Sequence, residues 1–93
     1  GLNINSNISE LISYMKDSNF REVRRWAALN ASNDMSSIYR ALYDELPKVL
    51  VSKTIPSLII LLGEYQYKSN FVVDQEINLV ACLVEILGEC EFL

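Results

Sequence analysis

The sequence contains no histidine, only two cysteines and two prolines, and three glycines among 93 residues. Without histidine, the chain lacks the commonest general base and the commonest metal ligand of proteins. It also has no glycine-rich phosphate-binding loop and no C-x-x-C pair, which argues against nucleotide and zinc sites. Serine is plentiful, but no histidine is available to activate it as a nucleophile. We therefore predict that this chain has no catalytic, cofactor or metal site of its own.

The two cysteines, Cys82 and Cys90, are eight positions apart. If one continuous helix carries both, they are separated by about 12 Å along its axis. A disulfide needs Cα atoms within about 7 Å of each other. We therefore predict free thiols, as in a reducing cytoplasmic compartment. No cation lies near either cysteine in the sequence to lower a thiol pKa, so both are interpreted as structural residues.

The charged residues are distributed unevenly around a net charge of −4. Residues 61–93 carry one basic residue against six acidic ones, which argues against a nucleic-acid surface in that part of the chain. The only basic cluster comprises Lys16, Arg21, Arg24 and Arg25. Its members are interpreted chiefly as a solvated face with local ion pairs; phosphate contact by Arg21, Arg24 and Arg25 is the alternative. No apolar run is long enough to span a membrane.

Apolar residues recur with helical spacing in five segments, and 51% of the chain is apolar. The predicted helices cover residues 7–17, 20–31, a stretch from 35 that kinks or ends near Pro47, a stretch after Pro56, and 74–91. Asn7 and Asp74 are predicted N-caps. The fold class is thus all-α, a compact bundle of about five antiparallel helices in a single domain, residues 1–93. The path between Pro47 and Pro56 stays open.

The last predicted helix contains six consecutive apolar residues, Leu79–Val84. A helix at the edge of a bundle needs only one apolar stripe, so this helix either lies at the centre of its own bundle or has a second stripe available for a partner. We expect the stripe Ile77, Val80, Val84 and Leu87 to pack within the domain. We expect the other, Leu79, Leu83, Ile86 and Cys90, to face another protein chain; the reverse assignment of the two stripes is the alternative. The last helix is thereby predicted to be the main assembly surface.

Two stretches resemble the C-terminal collar domain of the sliding-clamp loader ATPase subunit of T-even-type bacteriophages, a relative of the replication factor C small subunits. The first comprises Met15-Lys16, Phe20, Val23-Arg24 and Trp26-Ala27. The second comprises Leu62-Gly63-Glu64, Asp74-Gln75-Glu76-Ile77-Asn78-Leu79, and Ile86 to Glu89. The pattern covers nearly the whole chain and departs from the family between Pro47 and Pro56.

The resemblance implies a helical collar that joins clamp-loader subunits into a five-membered ring. The AAA+ module that binds ATP and Mg²⁺ would lie N-terminal to it, and the opening Gly1-Leu2, with no methionine, suits an excised fragment. The full protein would use ATP to open a sliding clamp and place it on primed DNA in the host cytoplasm. None of the family's Walker, sensor or arginine-finger residues has a counterpart here. Two alternatives remain: a free-standing helical adaptor that takes up a peptide helix, and a helix-turn-helix DNA binder using the three arginines.

Overall fold

The computed structural model describes residues 4–93, with side chains from residue 7 onward. Five α-helices account for most of this range. They are α1 (Ile4–Lys16), α2 (Phe20–Asn30), α3 (Met35–Glu45), α4 (Ile55–Lys68) and α5 (Gln75–Glu89). Two short 3₁₀ turns, Leu46–Lys48 and Ser52–Thr54, connect α3 to α4. The structure confirms the predicted all-α class.

Polar side chains just before three of the helices mark where those helices begin. Asn19, Asp34 and Asp74 accept hydrogen bonds from backbone N–H groups in the first turns of α2, α3 and α5, at 3.4, 3.1 and 3.1 Å. Each bond satisfies an N–H that has no partner within its helix. The predicted cap at Asn7 is wrong, because α1 already begins at Ile4. The carbonyl of Asn7 instead accepts a 2.9 Å hydrogen bond from the indole N–H of Trp26, which ties α1 to α2.

The chain between α3 and α4 is fastened to the C-terminus. Helix α3 ends at Glu45, and Pro47 lies in the 3₁₀ turn that follows, where its missing N–H costs no helical hydrogen bond. Leu50 then forms an isolated antiparallel bridge with Phe92. The flanking hydrogen bonds are Val51 N–H to the Glu91 carbonyl, 2.8 Å, and Leu93 N–H to the Val49 carbonyl, 2.9 Å. We call these contacts between residues 49–51 and 91–93 the C-terminal clip. They define the path of the chain after Pro47, which the sequence leaves open.

The helices form a closed cycle in which each packs mainly against two others, in the order α1, α2, α5, α4, α3 and back to α1. The shared core is contributed by all five helices and by the α3–α4 connection. Its fully buried members include Ile8, Leu11, Met15, Val23, Ile38, Leu42, Leu46, Leu58, Leu79, Leu83 and Ile86. Burying one such side chain is worth about 1.5–3 kcal/mol. Since the helices form a cycle, each keeps one face turned away from this core.

A hydrogen-bonded polar group inside the core fixes how α5 sits against α3 and α4. The buried Asn78 amide donates to the Tyr39 hydroxyl at 3.0 Å and to the Tyr65 carbonyl at 3.2 Å. The Tyr65 hydroxyl donates a short 2.5 Å hydrogen bond to Glu85 on α5. Burial raises the pKa of Tyr39 to about 12. Because a buried polar group without its partner is costly, these bonds favour one rotation of α5 over others.

Candidate protein interface

Helix α5 has a buried side and an exposed side, and the sequence-based assignment of its two stripes is wrong. Leu79, Leu83 and Ile86 are 0% exposed and belong to the domain's own core. Ile77 and Val84, predicted to be internal, are 68% and 43% exposed. The physical reason is the neighbouring Asn78, whose bonds to α3 and α4 turn that side of α5 inward. The exposed side of α5 thus centres on Ile77 and Val84, whereas Val80 and Leu87 pack partly against the core, as predicted.

Cys90, the fourth member of the predicted outer stripe, is half-buried just beyond the end of α5. Its thiol donates to the Thr54 carbonyl at 3.7 Å, beside the C-terminal clip. Both cysteines are free thiols, as predicted, although α5 ends at Glu89, one residue short of Cys90. Burial, with a smaller effect of Glu85, raises the pKa of Cys82 to about 12. A thiol protonated so firmly is a poor nucleophile.

The outward side of α5 forms the floor of a groove of about 490 Å³. The groove is lined by the apolar side chains Val72, Val73, Ile77 and Ala81, and by Tyr65, Lys68, Asp74 and Asn78. A second groove on the other side of Ile77 is lined by Arg24, Glu76, Val80 and Ala81. We call Val73, Ile77, Ala81 and Val84 the α5 face. Arg24, from α2, borders this face on one side.

A second exposed apolar surface lies on α4. Ile60 and Tyr67 are 62% and 67% exposed, and Phe71, just after the helix, is 70% exposed. The spacing from Ile60 to Glu64 to Tyr67 places these residues on one side of the helix, with the exposed Glu64 between the two apolar residues. The rings of Tyr67 and Phe71 contact each other, with their centroids 5.1 Å apart. We call Ile60, Glu64, Tyr67 and Phe71 the α4 face.

Sequence reasoning missed the α4 face, although a signal was present. The run Leu58–Leu62 is apolar on all sides, whereas the structure buries Leu58, Leu61 and Leu62 and leaves Ile59 and Ile60 exposed. An apolar run around the full circumference of an edge helix exceeds what one core can cover. The same reasoning that singled out Leu79–Val84 therefore applies to α4 as well.

The loop between the two faces is tied down by hydrogen bonds. The Gln75 side chain donates to the Ser69 carbonyl at 2.8 Å, and the Ser69 hydroxyl donates to the Gln66 carbonyl at 2.6 Å. The Val72 N–H donates to the Lys68 carbonyl at 3.1 Å. These bonds order the backbone that carries the exposed Phe71 and Val73. An ordered apolar surface loses less entropy on binding than a loose one.

The three arginines singled out from the sequence do lie together. Arg21, Arg24 and Arg25 line one groove with Phe20, Ala28 and Glu76. Arg25 is also paired with Glu22 at 3.5 Å, an exposed contact worth little to stability. The local ion pair matches the interpretation of a solvated face, and the carboxylate of Glu76 lies in the groove that a phosphate would enter. Phosphate contact by these residues stays a prediction.

Metal-binding clusters and membrane-spanning helices are both missing from the part of the chain that the structure describes. Within residues 4–93, no three or more Cys, Asp or Glu side chains lie so that they could hold a metal ion. No helix in this range is long and apolar enough to cross a bilayer. No protein-family model matches this chain, and no curated protein does. The function is therefore inferred from the chain's own surfaces and from its sequence pattern.

Proposed function

We propose that this chain is a subunit-assembly domain, the collar of a DNA polymerase sliding-clamp loader subunit. The observation that carries the proposal is the presence of two exposed apolar faces, on the neighbouring helices α4 and α5 of one small domain. The sequence resemblance to the clamp-loader collar supplies the biological setting. In that setting the other partners are the remaining ring subunits, the sliding clamp and primed DNA, and ATP with Mg²⁺ would bind the N-terminal module.

The apolar faces cost free energy when water covers them. Large contiguous apolar patches are uncommon on monomeric proteins and usually mark interaction sites. Covering one leucine-sized side chain is worth about 1.5–3 kcal/mol, whereas association costs about 4–15 kcal/mol in lost freedom of motion. One exposed isoleucine would not suffice, but each face holds three or more apolar residues. Their number supports a role in association.

A ring requires every subunit to present two different surfaces, one to each neighbour. The α4 face and the α5 face are two candidates for such surfaces, because they lie on different helices. The collar of the clamp-loader family is the part that joins subunits into such a ring. This agreement between surface and resemblance supports the collar over a domain with one binding groove.

The titratable groups support binding over catalysis. The largest rises in pKa belong to Cys82, Tyr39 and Tyr65, whose side chains are buried in the core. Burial is the main cause of each rise in pKa. Tyr39 and Tyr65 also line surface grooves, but the Tyr39 hydroxyl accepts from Asn78 and the Tyr65 hydroxyl donates to Glu85. The displaced groups here serve the packing of α3, α4 and α5.

Sedimentation velocity across a concentration series tests the assembly proposal. The wild-type chain should associate below about 1 mM, the concentration at which a weak contact of ~4 kcal/mol becomes half-occupied. Ile77→Asp should abolish the association without unfolding the domain, because Ile77 is mostly exposed. Leu29→Asp is the matched control, since Leu29 is equally exposed but lies on α2 outside both faces. A wild-type chain that stays monomeric throughout would overturn the proposal.

The clamp-loader setting has a separate test in the native gene. A reading frame upstream of Leu2 should encode a P-loop module of the G-x-x-x-x-G-K-[ST] type. A start codon at this position would remove the setting while leaving the assembly measurement untouched. The groove beside Ile77 and Ala81 also suits a peptide helix, which is the adaptor alternative. A monomeric wild-type chain that binds such a peptide would favour the adaptor.

A further inference from the structure

The C-terminal clip joins two extended segments in a domain that consists mainly of helices. We propose that residues 49–54 form a binding site for an extended peptide of a partner protein, and that residues 90–93 close this site in cis. The partner peptide carries an aromatic residue where Phe92 now lies. Binding requires residues 90–93 to detach while the five helices stay folded. This surface differs from the α4 and α5 faces, so the inference does not rest on the proposed assembly function.

The main chain of residues 49–51 supplies hydrogen bonds that any extended segment can use. Leu50 and Phe92 form a pair whose hydrogen bonds lie on the flanking residues, from the Val51 N–H at 2.8 Å and to the Val49 carbonyl at 2.9 Å. Such bonds join backbone to backbone and therefore do not depend on the sequence of the peptide. An uncovered strand edge of this type is a template for pairing with another chain.

Thr54 adds a side-chain acceptor at the end of the site. Its hydroxyl donates to the Val51 carbonyl at 2.7 Å and accepts from the Glu91 N–H at 3.3 Å. The Thr54 carbonyl also accepts from the Cys90 thiol, at 3.7 Å. Because the bond to Val51 stays when residues 90–93 leave, the hydroxyl keeps its orientation and its acceptor lone pair. An acceptor that is held in place loses little freedom when a peptide binds.

The contact between Leu50 and Phe92 gives the site its side-chain preference. Leu50 is 3% exposed, and Phe92 lies opposite it and packs against the core. Side chains approach most closely in a pair of this kind, whose hydrogen bonds lie on its neighbours, and an aromatic ring buries a large area there. Glu91 and Leu93, on either side of Phe92, are exposed. A bound peptide is therefore selected mainly by the one residue that replaces Phe92.

Residues 91–93 are held less firmly than the helices. Helix α5 ends at Glu89, and the Cys90 N–H that follows bonds back to the Ile86 carbonyl at 2.8 Å. The five helices therefore keep their own hydrogen bonds when residues 91–93 detach. Segments with few buried contacts and exposed hydrogen bonds open locally, at a lower free energy than global unfolding. A partner peptide then binds with an affinity lowered by the fraction of molecules in which the site is closed.

The short connection to α5 favours a separate peptide over residues 90–93 of a second copy. Phe92 follows Glu89, the last residue of α5, by three positions, which is at most about 10 Å of extended chain. Exchange between two copies would require the α5 ends of both to approach within that distance. A peptide with free ends has no such restriction on its approach.

Hydrogen exchange of the wild-type chain tests whether the site opens. The N–H groups of Val51 and Leu93 are bonded across the clip, whereas that of Leu83 lies in the core part of α5. Relative to their intrinsic rates, the two clip N–H groups should exchange at least about tenfold faster than that of Leu83. Equal protection of all three would mean that residues 90–93 leave only on global unfolding, and the proposal would be wrong.

Peptide binding tests the occupant. The probe is a synthetic peptide with blocked ends and the sequence of residues 89–93, and the control peptide carries the Phe92→Ala change. In the full chain, Phe92→Asp removes the apolar contact of the segment that closes the site. This variant should therefore bind the probe about tenfold more tightly than wild type does. NMR shifts should change at Val51 and Thr54, and the control peptide should bind neither protein.

The result supports the proposal only if the probe binds Phe92→Asp at residues 49–54 and the control peptide does not. Equal binding of both peptides, binding at another surface, or no binding at all contradicts it. A Phe92→Asp chain that is unfolded by circular dichroism also contradicts it, because Phe92 would then be indispensable to the core. A heterodimer of wild type with Phe92→Asp, seen by native mass spectrometry, would overturn the partner peptide in favour of a second copy.

Discussion

The inner and outer sides of α5 have similar apolar composition but opposite surroundings. Leu79, Leu83 and Ile86 lie in the core, whereas Ile77 and Val84 lie in water. Hydrophobicity alone cannot rank the two sides, because both offer aliphatic residues at helical spacing. The difference arises from the partners that the rest of the chain supplies. On the inner side those partners include the polar groups that satisfy Asn78.

This comparison shows that, in a helix with two apolar sides, the polar residues decide which side faces the core. Asn78 has one side-chain amide and finds two acceptors only when it faces α3 and α4. Glu85, on the same flank, reaches the Tyr65 hydroxyl from the protein surface. Rotating α5 to bury Ile77 and Val84 would break these bonds. The polar contacts thus select the inner side and leave the outer side exposed.

The largest loss of stability is expected from Leu83→Asp, on the inner side of α5. The change removes a fully buried side chain and places a carboxylate in the core. Losing the leucine costs about 2–5 kcal/mol, and an unpaired buried charge costs several more. Since a domain of this size is stable by only about 5–14 kcal/mol, the variant should be unfolded or nearly so by circular dichroism. Leu83→Ala is the milder control, which should fold with a lowered urea midpoint.

A smaller loss is expected from Asn78→Ala, which tests the polar contacts that orient α5. The variant leaves the Tyr39 hydroxyl and the Tyr65 carbonyl without this donor. We expect a loss of about 1–3 kcal/mol in the free energy of unfolding, from a buried group left unsatisfied. Urea denaturation provides the measurement. Gln75→Ala, which removes a hydrogen bond in the α4–α5 loop, should cost less. Equal losses would contradict the special role given to Asn78.

Alkaline pH should lower the free energy of unfolding through two buried groups, Cys82 on the inner side of α5 and Tyr39 on α3. Burial raises the pKa of Cys82 from 9.0 to about 12 and that of Tyr39 from 10.0 to about 12. The unfolded chain therefore loses these protons first, so stability is fully present below about pH 9 and falls as pH rises towards 12. The Cys82 contribution is at most about 4 kcal/mol. In Cys82→Ala, the free energy of unfolding should fall less steeply between pH 9 and the alkaline unfolding midpoint. An unchanged slope would contradict this origin.

The sequence sufficed for the fold class and for most helix boundaries, because these follow from local signals. The period of apolar residues, the cap at Asp74 and the break at Pro47 all act within a few residues of the chain. The sides of α5 could not be predicted in the same way. They depend on Tyr39 and Tyr65, which lie 39 and 13 positions from Asn78. The bridge between Leu50 and Phe92 could not be predicted either, because a contact between a single pair of residues produces no repeating pattern in the sequence.

The smallest effect on folding is expected from Val84→Asp. Val84 is the next residue along the chain after Leu83, whose substitution has the largest expected effect. Val84 projects from the outer side of α5 and is partly exposed, so a charge there stays in water. Substitutions at such positions usually change stability by about 0.5 kcal/mol, and the lower helix propensity of aspartate adds little. Thermal melting should therefore show a curve close to that of wild type. Sedimentation of the same sample should show weakened association, because the carboxylate would enter an apolar contact. If Val84→Asp instead melts as early as Leu83→Asp, the domain itself covers both sides of α5, and no outer side is left for assembly.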